Sequence, residues 1–217
     1  MKSKLREVFN KQNSNEQIMK LIDSLKDINY TDENNSSILI HAIDAENDEI
    51  IEYLLNKGAD INQVNDFGIG PLEISIIAGN TKLAKRLFEK QSFFNTAVGI
   101  TPLHVSAANG WIELIEYFIN YYDVNSSDER GCTPLYYAVQ EGKFKAVKYL
   151  IKKGANVEWT DEPNYNLLQC AVGESHIKII EYLISEFKDV FKDKISEAKE
   201  LALAYGKTDV YEIISRH

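Results

Sequence analysis

The stretch Gly99-Ile100-Thr101-Pro102-Leu103-His104 constrains this chain most, because it recurs. Related versions are Gly68-Ile69-Gly70-Pro71-Leu72-Glu73 and Gly131-Cys132-Thr133-Pro134-Leu135-Tyr136, with weaker copies at Ser36-Ser37-Ile38-Leu39-Ile40-His41 and Tyr165-Asn166-Leu167-Leu168-Gln169. The shared leucine falls at 39, 72, 103, 135 and 168, giving spacings of 33, 31, 32 and 33. A period of that length marks stacked units, none of which can bury its apolar face alone.

Within each period the residues spell two helices. Ser37, Gly70, Thr101, Thr133 and Asn166 stand before the Pro-Leu position, and all belong to the residue set that closes helix N-termini. Three of the four prolines (Pro71, Pro102 and Pro134) follow directly, where a missing N–H costs nothing and the fixed φ suits a first turn. Small residues at Ala42, Ser75, Ser106, Ala138 and Ala171 then allow an inner helix to pack closely. Each outer helix has apolar pairs separated by charges, as in Glu113-Leu114-Ile115-Glu116-Tyr117-Phe118, which describes one buried stripe. Lys57-Gly58-Ala59 and Lys153-Gly154-Ala155 supply the cation and glycine expected at a helix C-terminus.

On these motifs the chain resembles an ankyrin-repeat protein, whose Thr-Pro-Leu-His signature is matched at Thr101 to His104. The resemblance implies an all-α solenoid of helix-turn-helix units joined by short β-turn loops, read as a single continuous domain. Five repeats are expected at 32–64, 65–95, 96–127, 128–160 and 161–193. Residues 1–31 read as a degenerate first capping repeat, because Ile18, Leu21 and Ile28-Asn29 lie 33 residues before Ile51, Leu54 and Ile61-Asn62. Residues 194–217 read as a closing helix pair. The segment from Asn95 to Gly99 is a clipped turn, Tyr121-Tyr122 replaces the Lys-Gly-Ala ending, and Phe187 to Lys194 lacks any turn signal.

Composition limits the function classes. A net charge of −9 argues against nucleic acid or an anionic membrane as partner. No apolar run approaches the roughly 18 residues that cross a bilayer, and Met1 to Arg6 is followed by Glu7 and polar residues rather than a signal peptide's apolar stretch. Only Cys132 and Cys170 are present, so a reducing cytoplasmic setting without a structural disulfide is expected. Cys132 lies near a turn tip and reads as an ordinary exposed thiol rather than a reactive one, whereas Cys170 reads as a small core residue.

The four histidines (His41, His104, His176 and His217) show no zinc spacing, and no phosphate loop or nucleophile–base pair is present. A non-enzymatic chain with no cofactor and no metal follows, and the ankyrin resemblance implies that His104, the signature histidine, is a structural hydrogen-bonding residue. The acidic pairs Asp32-Glu33, Asp128-Glu129 and Asp161-Glu162 recur with the repeat and read as turn formers.

By the family's architecture, turn tips and the exposed ends of inner helices would contact a partner. Carried onto this sequence they include Glu33, Asp44, Asp66, Phe67, Ile69, Ile77, Ile100 and Asn109, with Trp111 just beyond. In the later repeats they include Glu129, Arg130, Gln140, Glu141, Glu162, Tyr165 and Glu174. Arg130 is the one basic residue among them, whereas Lys82, Lys85, Lys145 and Lys148 fall on outer helices. An apolar centre with an acidic periphery fits a protein partner with a basic contact surface. The expected function is therefore that of a protein-binding module, monomeric when free, that occludes a basic protein in the manner of a bacterial immunity protein against a toxin. The alternative is an adaptor or host-directed effector that recruits a partner without inhibiting it.

Overall fold

In three repeats a side chain closes the N-terminus of the inner helix. The Ser37 hydroxyl accepts the Ile40 N–H, Thr133 accepts that of Tyr136, and Asn166 accepts those of Leu168 and Gln169. Pro71, Pro102 and Pro134 occupy the first helical position. The computed structural model describes residues 8, 9, 13–90, 92, 94, 98–160 and 165–216. The chain forms two compact units, residues 1–96 and 97–217. Among the described residues there are helices and turns but no strand beyond two isolated bridges, Thr31 with Ser37 and Thr160 with Asn166.

The first unit contains α1 (Asn15–Ser24), the pair α2 (Ile38–Asp44) and α3 (Asp48–Asn56), and the pair α4 (Pro71–Ile77) and α5 (Thr81–Glu89). Helix α1 packs on α3 and α2 on α4, around buried Ile18, Ile22, Ile50, Ile51, Leu54 and Leu72. The second unit contains the pairs α6 (Pro102–Asn109) with α7 (Ile112–Phe118), α8 (Pro134–Gln140) with α9 (Phe144–Lys152), and α10 (Leu167–Gly173) with α11 (Ile177–Glu186). It continues through α12 (Lys188–Phe191) and a 3-10 turn (Lys192–Lys194) to α13 (Ile195–Ala204) and α14 (Thr208–Ser215). Inner helices α6, α8, α10 and α13 pack in succession, as do outer helices α7, α9, α11 and α14.

One backbone device joins inner to outer helix throughout. Residues 46, 79, 110, 142, 175 and 206 all have positive φ, between 51° and 77°. Four are glycine, which adopts that conformation freely, while Glu46 and Ser175 carry a side chain there. At Gly142 a second constraint applies, since an added Cβ would sit 2.5 Å from the His176 ring. The recurrence at Gly206 places the α13–α14 pair on the same plan as the repeats before it.

Between Phe187 and Lys194, where the sequence lacks a turn signal, α12 and the 3-10 turn bridge the gap, and Phe191 buries its ring, leaving 2% exposed. One expectation requires correction. Cys132 is not an exposed thiol at a tip, for it is buried and its backbone N–H donates to Asp128. Cys170 is also buried, as a core residue.

Candidate partner-binding surface

Three hairpin tips are each held by a carboxylate or amide inside the loop. Asp32 Oδ1 accepts the N–H groups of Asn34 and Ser36, both at 2.9 Å, and its Oδ2 meets His41 Nε2 at 2.9 Å. Asp128 repeats the plan with the N–H groups of Arg130 (2.9 Å) and Cys132 (2.8 Å), while the Tyr137 hydroxyl donates to Oδ2 at 2.8 Å. Asn65 accepts from Phe67 and Ile69 in the same way. Successive tips within a unit join by one backbone bond, Asp66 N–H to Asn34 carbonyl and Glu129 N–H to Val98 carbonyl, both 3.0 Å.

This bracing fixes the electrostatics. Burial works against ionisation of Asp32, but the Ser36 and Asn34 amides and His41 hold its carboxyl below the ordinary range. Burial likewise opposes ionisation of Asp128, and the Tyr137 hydroxyl, backbone amides and Arg130 overcome it. Tyr137 is pushed up to about 12 by burial and by the Asp128 charge. Arg130 donates to both Asp128 and Tyr137, so the one cation among the expected contact residues is tied to a carboxylate of its own loop.

The expected contact residues lie where exposure is compatible with contact. Glu33, Asp44, Asp66 and Ile77 are exposed in the first unit, Phe67 is 74% exposed, and Ile69 is half-buried. In the second unit Glu129, Arg130, Glu141 and Glu174 are exposed, Trp111 is 40% exposed, and Ile100, Asn109, Gln140 and Tyr165 are half-buried. Glu162 lies outside the described residues. Glu33, Asp44, Glu129, Glu141 and Glu174 have no side-chain partner among the described residues, whereas Asp66 accepts from Asn35 at 2.6 Å. On the outer helix α3, Glu52 pairs with Arg86. Asp23, on α1, pairs with Lys57. Trp111 stands at the N-cap of α7, the place that His176 holds on α11 and Lys207 on α14. His176 Nε2 bonds the Gln140 carbonyl at 2.9 Å, and Lys207 Nζ bonds the Val172 and Gly173 carbonyls.

Sequence reasoning did not assign roles to His41, Tyr137 or His176. A signal existed for two of them: His41 and Tyr137 each lie nine residues after the loop aspartate.

His104 is fully buried. Its Nδ1 accepts the Thr101 N–H at 3.1 Å, which leaves the proton on Nε2, 3.2 Å from the Cys132 carbonyl one repeat on. Burial lowers its pKa, so the folded chain keeps the ring neutral. The unfolded chain takes up a proton near pH 6.5, so stability is complete above that value and falls as pH drops below it. Denaturation at pH 7 and pH 5.5 is expected to show an extra loss at the lower pH that His104→Gln removes. The same acid slope in both proteins would contradict the assignment. At the matching position α4 carries Glu73, and burial pushes its carboxyl up.

Among the described residues no cluster of three or more His, Cys, Asp or Glu is placed to hold a metal ion, and no helix is long and apolar enough to cross a membrane. The family described as "Ankyrin repeats (3 copies)" matches residues 8–97, 72–161 and 122–194, and the chain belongs to that family. It is similar to Ankyrin repeat protein nuc-2 of Neurospora crassa, at 28% identity over 178 residues, covering 78% of this chain and 17% of that protein. It is also similar to "Probable 26S proteasome regulatory subunit p28" of Saccharomyces cerevisiae, at 28% over 168 residues, covering 71% of this chain and 73% of that protein. Rabankyrin-5 of Mus musculus is 26% identical over 182 residues, covering 76% and 16%. The chain thus spans under a fifth of nuc-2 and Rabankyrin-5. What the membership establishes is a protein–protein interaction module.

Proposed function

We propose that this module binds a protein with a basic contact surface through its hairpin tips and inner-helix ends, and occludes that surface. In its concrete form the reading is an immunity-type inhibitor of a basic toxin, acting as a monomer in the cytoplasm. Phe67, Ile69 and Ile77 in the first unit and Ile100 and Trp111 in the second would serve as apolar anchors. Asp66, Asn109, Gln140, Glu162 and Tyr165 would complete the contact. The observation that carries the proposal is that Glu33, Asp44, Glu129, Glu141 and Glu174 are exposed without a side-chain partner among the described residues. Such charges have no existing pair to break, and they accelerate encounter with a cationic surface.

The test starts from a partner captured from the native lysate and measured kinetically. Reversing Glu141 and Glu174 to Lys is expected to slow association about tenfold and flatten its salt dependence, because steering is screened beyond roughly 8–10 Å. Trp111→Ala is expected to weaken binding by about 2 kcal/mol through faster dissociation. Lys145→Glu, an exposed outer-helix change, should do neither. If Lys145→Glu disrupts the complex while the other variants bind normally, the contact face is the outer one and the proposal fails.

A further inference from the structure

The segment joining α11 to α13 departs from the other repeats, and the departure leaves a depression of about 440 Å³. Its apolar side is made by Ile184 and Phe191, both buried, and by half-buried Ile195. Lys188, Lys192 and Lys199 stand around it, and among the described residues no carboxylate lines it. Lys194, on the same turn, pairs with Glu197 at 3.8 Å. The three lining lysines have no side-chain partner among the described residues.

These two halves call for different chemistry. Exposed lysine stems without a buried donor hold a free inorganic anion weakly, because each ammonium remains well hydrated and mobile. Apolar side chains in a concavity gain from excluding water but do not discriminate charge. A ligand that satisfies both has an apolar body and an anionic head, and the volume lies in the range of small-molecule sites.

We propose that this depression binds one small amphiphilic anion, its apolar body against Ile184, Phe191 and Ile195 and its carboxylate or phosphate head among Lys188, Lys192 and Lys199. The site is separate from the hairpin tips and does not depend on the partner proposed above.

Calorimetric titration of the full chain tests it with four probes: decanoate and decyl phosphate below their micelle-forming concentrations, decanol, and inorganic phosphate. Saturable one-to-one binding is expected for the two amphiphilic anions, with decanol and inorganic phosphate each at least about tenfold weaker. Combining Lys188→Glu with Lys192→Glu should weaken decanoate about tenfold or more, as two reversed charges near the head group require. Ser185→Trp, a change at an exposed lining residue, should block entry; thermal melting by circular dichroism confirms that each variant remains folded. Equal affinity for inorganic phosphate would reduce the site to an anion patch, and equal affinity for decanol would reduce it to an apolar one. Either result overturns the proposal. So does binding that ignores both variants, or sedimentation with phosphatidylglycerol vesicles without any binding of monomeric decanoate.

Discussion

Removal of residues 195–217 is expected to leave the 97–217 unit aggregating or partly unfolded. Ala198, Ala202, Val210 and Ile214 are fully buried, with α13 packed on α10 and α14 on α11. Without them the apolar sides of α10 and α11, which carry Leu167, Leu168, Ile180 and Leu183, open to water. Exposing each large side chain costs about 1.5–3 kcal/mol, so losing several exceeds the stability such a unit holds in reserve. The Lys207 ammonium would also leave the Val172 and Gly173 carbonyls at the end of α10. Size-exclusion chromatography and thermal melting measure the outcome. Ala202→Glu supplies a milder version, since it places an unpaired charge at the same contact. A monomeric truncated chain with an unchanged melting temperature would show that α13 and α14 carry no share of the stack's stability.

Much of this architecture can be read from the sequence because its repeat period carries local signals. The caps at Ser37, Thr133 and Asn166 and the prolines after Gly70, Thr101 and Thr133 each act over a single turn, so spacing alone locates them. The bracing of the tips was hidden for the opposite reason. Asp32 with His41, and Asp128 with Tyr137, link a loop to a helix nine residues on, and that distance corresponds to no helical or strand period. Cys132 looked like a tip residue because it follows Gly131, but its burial comes from a folded-in loop closed on Asp128. The missing turn between Phe187 and Lys194 is legible from the absence of Gly and Pro, but α12 itself is not, since the burial of Phe191, a tertiary effect, decides its shape. The contact residues were legible by position only. Nothing in their types names the molecule that would meet them.

The aspartate inside the tip gives the second large effect. Asp128→Ala is expected to cost the 97–217 unit about 3 kcal/mol, the scale of truncating a buried charged acceptor. Its side chain is 1% exposed. The Arg130 and Cys132 amides and the Tyr137 hydroxyl would lose their acceptor together. The damage extends beyond the loop, because the Cys132 carbonyl is also the partner of His104 Nε2 one repeat earlier. Asp128→Asn should be milder, about 1 kcal/mol, since an amide oxygen still accepts both backbone N–H groups and only the charge toward Tyr137 and Arg130 is lost. The first unit already displays that arrangement: Asn65 accepts from Phe67 and Ile69, and the residue nine positions on is Ile74, which asks nothing of a carboxylate. The charge at 128 therefore serves Tyr137 and Arg130. In urea denaturation, a Tyr137→Phe background should remove most of the stability that Asp128→Asn otherwise costs. Equal losses for Asp128→Ala and Asp128→Asn, or no coupling to Tyr137, would mean that the backbone amides alone hold the tip. Glu129 sits between the braced residues, so the Asp128→Ala variant should also weaken partner binding at temperatures where the unit remains folded, linking the stiffness of the loop to the proposed contact.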